Sequence, residues 1–182
     1  MWPKYLETRE TERLIIRPLT NEDVEPWIPY IMDEEATAYF PIEWKLSPEK
    51  SQEWIDFQLK RYAESRYGLQ ALIEKESGQL IGQCGLLAQK VDDIEELEIG
   101  YHLLPEFWGK GYASEAAQFF KKLAFENQLT TSIISIIDLE NTPSIKVAER
   151  NGMRREKQTT YYDMDVYVYR IHEEDFKNSL KP

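Results

Sequence analysis

The stretch that decides the fold is Pro105-Glu106-Phe107-Trp108-Gly109-Lys110-Gly111-Tyr112-Ala113-Ser114-Glu115-Ala116-Ala117. A strand-like run at 97–103 precedes it, and a helix-like run ending near residue 127 follows. Two glycines, a lysine and the unpaired amides of a helix start therefore fall within a few residues. Outward N–H groups, the positive end of the helix dipole and glycine's missing side chain together attract an anion, and phosphate is the expected guest. The amides of Gly109, Lys110, Gly111, Tyr112, Ala113 and Ser114 are the candidate ligands, with Lys110 as a mobile charge. Two familiar phosphate motifs do not fit. A Walker loop needs four residues between its first glycine and a Gly-Lys-Ser/Thr end, and a dinucleotide fingerprint needs glycine where Ser114 stands. Taken alone, the stretch also reads as a tight strand-to-helix connection.

The strand before the loop carries further information. Alternation puts Leu97, Ile99, Tyr101 and Leu103 on one face and Glu96, Glu98, Gly100 and His102 on the other. A central α/β strand is normally apolar on both faces. The polar face must either meet solvent or line a cavity, and glycine inside a strand marks a bulge or a close ligand approach.

At 182 residues, 42% hydrophobic and 13% aromatic, the chain suits one globular α/β domain, read here as 1–182. No apolar run approaches the roughly 20 residues of a membrane span, and Met1-Trp2-Pro3-Lys4-Tyr5 has no export-signal core, so cytoplasm is the expected compartment. Twenty-two basic against 33 acidic residues give a net charge of −11, which argues against nucleic acid or an anionic membrane as partner. The acids of Asp92-Asp93-Ile94-Glu95-Glu96-Leu97-Glu98 and of Asp33-Glu34-Glu35 read singly as solvated loop charge, and together as attraction for a cationic acceptor. Cys84, the single cysteine, reads as a buried thiol.

Residues 11–17 read as a strand. Thr20-Asn21-Glu22-Asp23 resembles a capping box, followed by two short turns or a bent helix because Pro26 and Pro29 interrupt the spacing. Ser47-Pro48 reads as an N-cap and first helical residue. Strands follow at 69–75 and 80–87, then 131–139, 154–160 and 164–172, with a helix over 141–151. The helix after the loop should bury Ala113, Ala116, Ala117, Phe120 and Ala124.

Trp108-Gly109-Lys110-Gly111-Tyr112-Ala113-Ser114-Glu115-Ala116 resembles the acetyl-CoA pyrophosphate loop of the GNAT N-acetyltransferases, and more narrowly that of the RimJ/RimL-like branch. Thr11-Glu12-Arg13-Leu14-Ile15-Ile16-Arg17-Pro18 is similar to that branch's opening strand. Asn141-Thr142-Pro143-Ser144-Ile145-Lys146-Val147-Ala148-Glu149-Arg150-Asn151-Gly152-Met153 is similar to its Asn-x-x-Ser helix. The resemblance implies a mixed sheet of about seven strands, split between the fourth and fifth and flanked by helices. It implies acetyl-CoA as co-substrate with no metal, and a primary amine as acceptor, whether a cationic small molecule or a protein N-terminus. A homodimer through the closing strands is a further implication.

Site roles come from the same resemblance. Backbone groups of Tyr101 and Leu103 would pair with the pantetheine amides, and Asn141 would cap its helix and touch the cofactor arm. Glu98 would act as base through a water, or only orient a cationic acceptor; His102 is the runner-up base or a structural histidine. The family's acid tyrosine would fall at Ala148 and is missing, so Ser144 is the substitute, or merely steadies its helix. The aromatic stretch Tyr39-Phe40-Pro41-Ile42-Glu43-Trp44 would lie over the acceptor or pack on the core. A non-catalytic acyl-CoA binder and an interaction scaffold remain as alternatives.

Overall fold

The structure, a computed structural model, describes residues 2–40 and 46–179. Its frame is an eight-stranded mixed sheet among the described residues, in the order β1 (Arg9–Glu10), β2 (Leu14–Arg17), β3 (Leu69–Glu74), β4 (Leu80–Val91), β5 (Ile94–Leu103), β6 (Ser132–Asp138), β8 (Met164–His172), β7 (Arg154–Tyr161). The helices are α1 (Trp2–Tyr5), α2 (Val24–Ile31), α3 (Glu49–Ala63), α4 (Tyr112–Glu126), α5 (Thr142–Arg150) and α6 (Glu173–Ser179). Trp54 of α3 packs on His102 on one face of β5. Phe120 of α4 is fully buried against Tyr5 on the opposite face.

Every neighbouring pair of strands is antiparallel except β5 and β6. These run parallel and meet at one pair of residues among those described, Glu98 opposite Ile134. The expected split therefore falls between the expected strands, which become fifth and sixth because β1 adds one. The extra strand follows from a turn in which Thr11 N–H donates to Leu14 O, laying Arg9 opposite Ile16. Beyond the single pair, side chains replace backbone ties. Ser135 Oγ donates to Ile99 O at 3.1 Å, and Ile136 N–H donates to Glu98 Oε1 at 3.4 Å.

The acidic run 92–98 is solvated only in part: Asp92, Asp93 and Glu95 are exposed, whereas Glu96 and Glu98 are withdrawn from solvent. It continues β4 into β5 through a turn with Asp92 and Asp93 at φ 49° and 64°, left-handed positions that aspartate tolerates and that a tight hairpin needs. Asp92 pairs with Lys157 at 2.7 Å, and Glu96 makes a two-pronged bond to Arg170 at 2.6 and 2.9 Å. The fold thus neutralises much of this charge itself, and Val91 is pressed into a small core with Ile134 and Val168.

Arg170 and Glu96 expose only 12% and 11% of their side chains, so removing one charge strands the other. Glu156 remains as a partner of Arg170 at 3.0 Å. Glu96→Gln is expected to cost about 2 kcal/mol, below the usual penalty for breaking a buried pair because of that second partner. An unchanged urea midpoint would contradict this.

Three local expectations differ from the fold. A short 3-10 turn, Asn21–Asp23, leads into one eight-residue α2 that contains Pro29. Pro26 sits in its first turn, where no N–H is needed, so one proline rather than two challenges the helix. Asp23 caps the turn by accepting Thr20 N–H at 2.8 Å, and its carboxylate also pairs with Arg17. Ser47 does not cap α3; its hydroxyl donates to Glu49 instead, at 2.7 Å. Gly100 sits in regular register opposite Gly85, without a bulge; a Cβ there would come within 3.0 Å of Leu87 Cδ1. Its smallness serves packing, and the residue also lines the cleft between β5 and β6, where the alternative expectation of a close ligand approach stands.

Candidate functional site

Where β5 and β6 part, a cleft of about 760 Å³ opens between the sheet, α4, α5 and the segment after α2. Its donor half is built from the strand-to-helix stretch. Gly109 and Gly111 adopt φ 72° and 85°, conformations that side chains resist, and Gly111 is the residue that opens α4. The loop is clamped from below. Arg13 donates to Lys110 O at 2.8 Å and to Glu115 at 2.7 Å, while Thr11 Oγ1 and Arg13 N–H donate to the same carboxylate. Glu115 was not singled out in the sequence, although Thr11 and Arg13 belong to the opening-strand motif.

Two loop residues face elsewhere with their side chains. Lys110 is exposed, its ammonium 5.0 Å from the Phe107 ring centre. Tyr112 donates its hydroxyl to Glu74 and lies under the Arg13 guanidinium, so only its backbone serves the cleft. Ala113 and Ser114 line the cleft, and Ser114 Oγ is buried without a hydrogen-bond partner among the described residues. An orphaned hydroxyl at a helix start, beside amides opened by two positive-φ glycines, fits a polar ligand arm. Asn151 Nδ2 steadies this end of α4 by donating to Ser114 O at 3.4 Å and to Val147 O at 3.0 Å.

The gap itself presents backbone. Leu104 N–H bonds to Ile81 O on the β4 side. In an antiparallel ladder alternate residues face the same neighbour, so Tyr101 and Leu103 turn their N–H and C=O groups toward the gap. The Leu103 carbonyl already accepts from Trp108 Nε1 at 2.8 Å, which leaves its amide as the useful group. The Tyr101 side chain crosses to α5, its hydroxyl donating to Ser144 O at 2.9 Å. Asn141 caps α5 by accepting Ser144 N–H at 3.1 Å, and both residues line the cleft. Ala148, which stands where the resemblance implies a tyrosine, is buried at 1% exposure.

Glu98 lies on the cleft floor, 8% exposed, at the point where the strands separate. Burial raises its carboxyl above the usual carboxylate range, while Gln89, the Ile136 amide and Arg61 pull it back. Gln89 Nε2 donates to Glu98 Oε2 at 2.7 Å. His102 shares the face but is caged: Nδ1 is hydrogen-bonded to the Tyr30 hydroxyl at 2.8 Å, and Trp54 and Phe40 meet its ring edge-on at 5.1 and 5.8 Å. Burial pushes its imidazole down to about 4, so it is neutral at pH 7. Tyr39 and Phe40 line the cleft as the loop reading allowed; the remainder of that stretch lies outside the described residues. Cys84 is buried, and burial raises its thiol far from reactivity.

A mixed α/β sheet parted at its parallel strands, with a positive-φ loop opening the helix between them, has the architecture of the GNAT fold. The chain belongs to the GNAT acetyltransferase family: the family model described as an acetyltransferase (GNAT) domain matches residues 13–154. The family transfers an acyl group from acetyl-CoA. An N-acetyltransferase of Bacillus licheniformis, p20, described as uncharacterized, is 30% identical over 178 residues, covering 94% of this chain and 99% of its own. A crystal structure of a GNAT-family acetyltransferase from Bacillus anthracis superposes with a TM-score of 0.77 at 30% identity, covering 92% of this chain and 99% of that one. The ribosomal L7/L12 acetyltransferase RimL, solved with coenzyme A, shares the fold at TM-score 0.74 and 16% identity, over 91% of this chain and 98% of its own. Among the described residues, no helix is long and apolar enough to cross a membrane.

Proposed function

We propose that this chain is an acetyl-CoA-dependent N-acetyltransferase of the RimJ/RimL-like branch. Its acceptor is a primary amine, whether a protein N-terminus, a polyamine or another small amine. The observation that carries the reading is Glu98, a buried carboxylate at the vertex of the parted strands, in one cleft with the anion-ready start of α4. The amides of residues 109–114 and Ser114 Oγ would hold the pyrophosphate end of the donor, with Lys110 as a swinging charge. The gap-facing groups of Tyr101 and Leu103 would hold the pantetheine arm, and a strand amide would donate to the carbonyl oxygen as charge develops there.

The amine nitrogen attacks the thioester carbonyl carbon; a C–N bond forms, the C–S bond breaks, and the sulfur leaves as thiolate. Glu98 takes the surplus proton from the ammonium through a water. A free thiol ionises near 8.5, so the leaving group needs little help. Ser144, as the group that returns a proton to sulfur, is therefore the least demanding role. Ser144→Ala is expected to slow turnover less than about tenfold, against the 10²–10⁴ of a full acid–base catalyst. A larger loss at unchanged donor affinity would show the thiolate needs a specific acid.

The reading as a whole is tested by thiol release from acetyl-CoA over a panel of primary amines. Release matched by acetylated amine supports it. Tight donor binding with no release on any acceptor would contradict it.

A further inference from the structure

We propose that Gln89 and Tyr161 are positioning residues for Glu98, forming a side-chain chain across the sheet that holds and orients its carboxylate. The proposal rests on the reading of Glu98 as the base. Tyr161, at the end of β7, donates its hydroxyl to Gln89 Oε1 at 2.9 Å. Gln89, on β4, donates Nε2 to Glu98 Oε2 at 2.7 Å, and Ile136 N–H of β6 reaches Oε1 at 3.4 Å. Four strands thus converge on one carboxyl group.

The direction of the chain is fixed by what each group can donate. An ionised carboxylate only accepts, so Gln89 must present its amino group to Glu98. That leaves the Gln89 oxygen toward Tyr161, which must supply a proton. Burial raises the Tyr161 phenol, with the Glu98 charge adding to the effect, so the hydroxyl keeps that proton at any working pH. Tyr161 therefore selects the amide orientation that suits Glu98 in its charged form. Tyr161, Gln89 and Glu98 all line the cleft, so the chain also forms part of its floor.

The other groups acting on Glu98 are few. Arg61 of α3 favours its charge, and the phenols of Tyr101 and Tyr161 share its field. Gln89 is the nearest donor and the one whose loss the Ile136 amide, at 3.4 Å, compensates least. Without it a buried carboxylate loses half its direct solvation and holds its proton to higher pH. A protonated Glu98 cannot accept a proton from the amine.

The test uses the full chain with saturating acetyl-CoA and one primary amine, comparing wild type with Gln89→Leu and Tyr161→Phe. Glu98→Gln is run alongside. In kcat/KM against pH, the acid limb is expected to move up by about one unit in Gln89→Leu and by less, with the same sign, in Tyr161→Phe, each unit being a tenfold change in the ionised fraction. Activity at the alkaline plateau should return to within about threefold of wild type, since Glu98 is then ionised in every variant. A carbon-13 NMR titration of the Glu98 carboxyl, assigned by its absence in Glu98→Gln, should show the same order without relying on turnover.

A limb and a titration that stay put, with activity lowered evenly at every pH or not at all, would overturn the positioning role. If Glu98→Gln keeps its kcat, the base reading itself fails, whatever Gln89 does. If Glu98→Gln is impaired while both neighbours leave the limb and titration unmoved, only the present proposal fails. Should Gln89→Leu not fold, Tyr161→Phe carries the test, because it removes one oxygen and leaves the ring in place.

Discussion

Glu98→Gln is expected to lower kcat at saturating amine by about 10²–10³-fold, within the range of general acid–base catalysis, with acetyl-CoA affinity unchanged. Glutamine keeps the size and one acceptor but removes both the charge and the ability to take a proton. An acid that merely attracted a cationic acceptor would instead leave kcat intact and raise KM. The wild-type rate should fall as pH drops through the carboxyl's folded value, which burial sets above the ordinary carboxylate range. Raising the pH should partly rescue the variant, because more of the amine is then already free of its proton.

Stability should move in the opposite sense. A folded value above the unfolded one means the native state binds the proton more tightly, so stability declines as pH rises from the unfolded value through the folded one. Wherever it is ionised, Glu98 is a net cost to the fold, as functional groups often are. The glutamine variant should therefore melt no lower than wild type at pH 7. A large loss of both stability and activity would point to a structural acid.

Gly111→Val is expected to weaken acetyl-CoA binding by about two orders of magnitude or more. The residue sits at φ 85°, where a β-branched side chain is strained, and a Cβ there would stand 3.4 Å from the Arg13 guanidinium that clamps the loop. Strain of about 1–3 kcal/mol at a single backbone position spans roughly one to two decades of affinity, and the side chain also crowds the amides that would face phosphate. The surroundings of the loop are surface, so the melting temperature should change far less than the calorimetric affinity. Unchanged affinity in a folded variant would remove the anion assignment.

Much of this was legible because it depends on local pattern. Alternation along 97–103 separated Glu98 and His102 from Ile99 and Tyr101; all four reach the cleft because the strands part there, and Ile99 is also packed into the core. The spacing of Ala116, Ala117, Phe120 and Ala124 gave the buried face of α4, while Ala113 stays at the cleft because it is in the helix's first turn. Positive φ at Gly109 and Gly111 was implicit in two glycines before a helix.

What the sequence hid was set by contacts between distant segments. Asp92 and Glu96 looked unpaired because their partners, Lys157 and Arg170, lie more than sixty residues away. Glu115 looked like an ordinary helix acid until Thr11 and Arg13 were brought against it. Gln89 lies just beyond the strand expected at 80–87, because β4 runs on to Val91, and nothing local ties an amide there to Glu98 or to Tyr161. His102 looked available as a base, but the cage of Tyr30, Phe40 and Trp54 comes from two other segments.

The donor is expected in the gap between β5 and β6, with its thioester beside Glu98. A crystal structure of the Glu98→Gln variant grown with acetyl-CoA tests it most directly. Density is expected for the pantetheine arm along Tyr101 and Leu103, for the pyrophosphate on the amides of residues 109–114, and for the acetyl group near residue 98. Density for the donor elsewhere, with the gap closed or filled only by solvent, would contradict it.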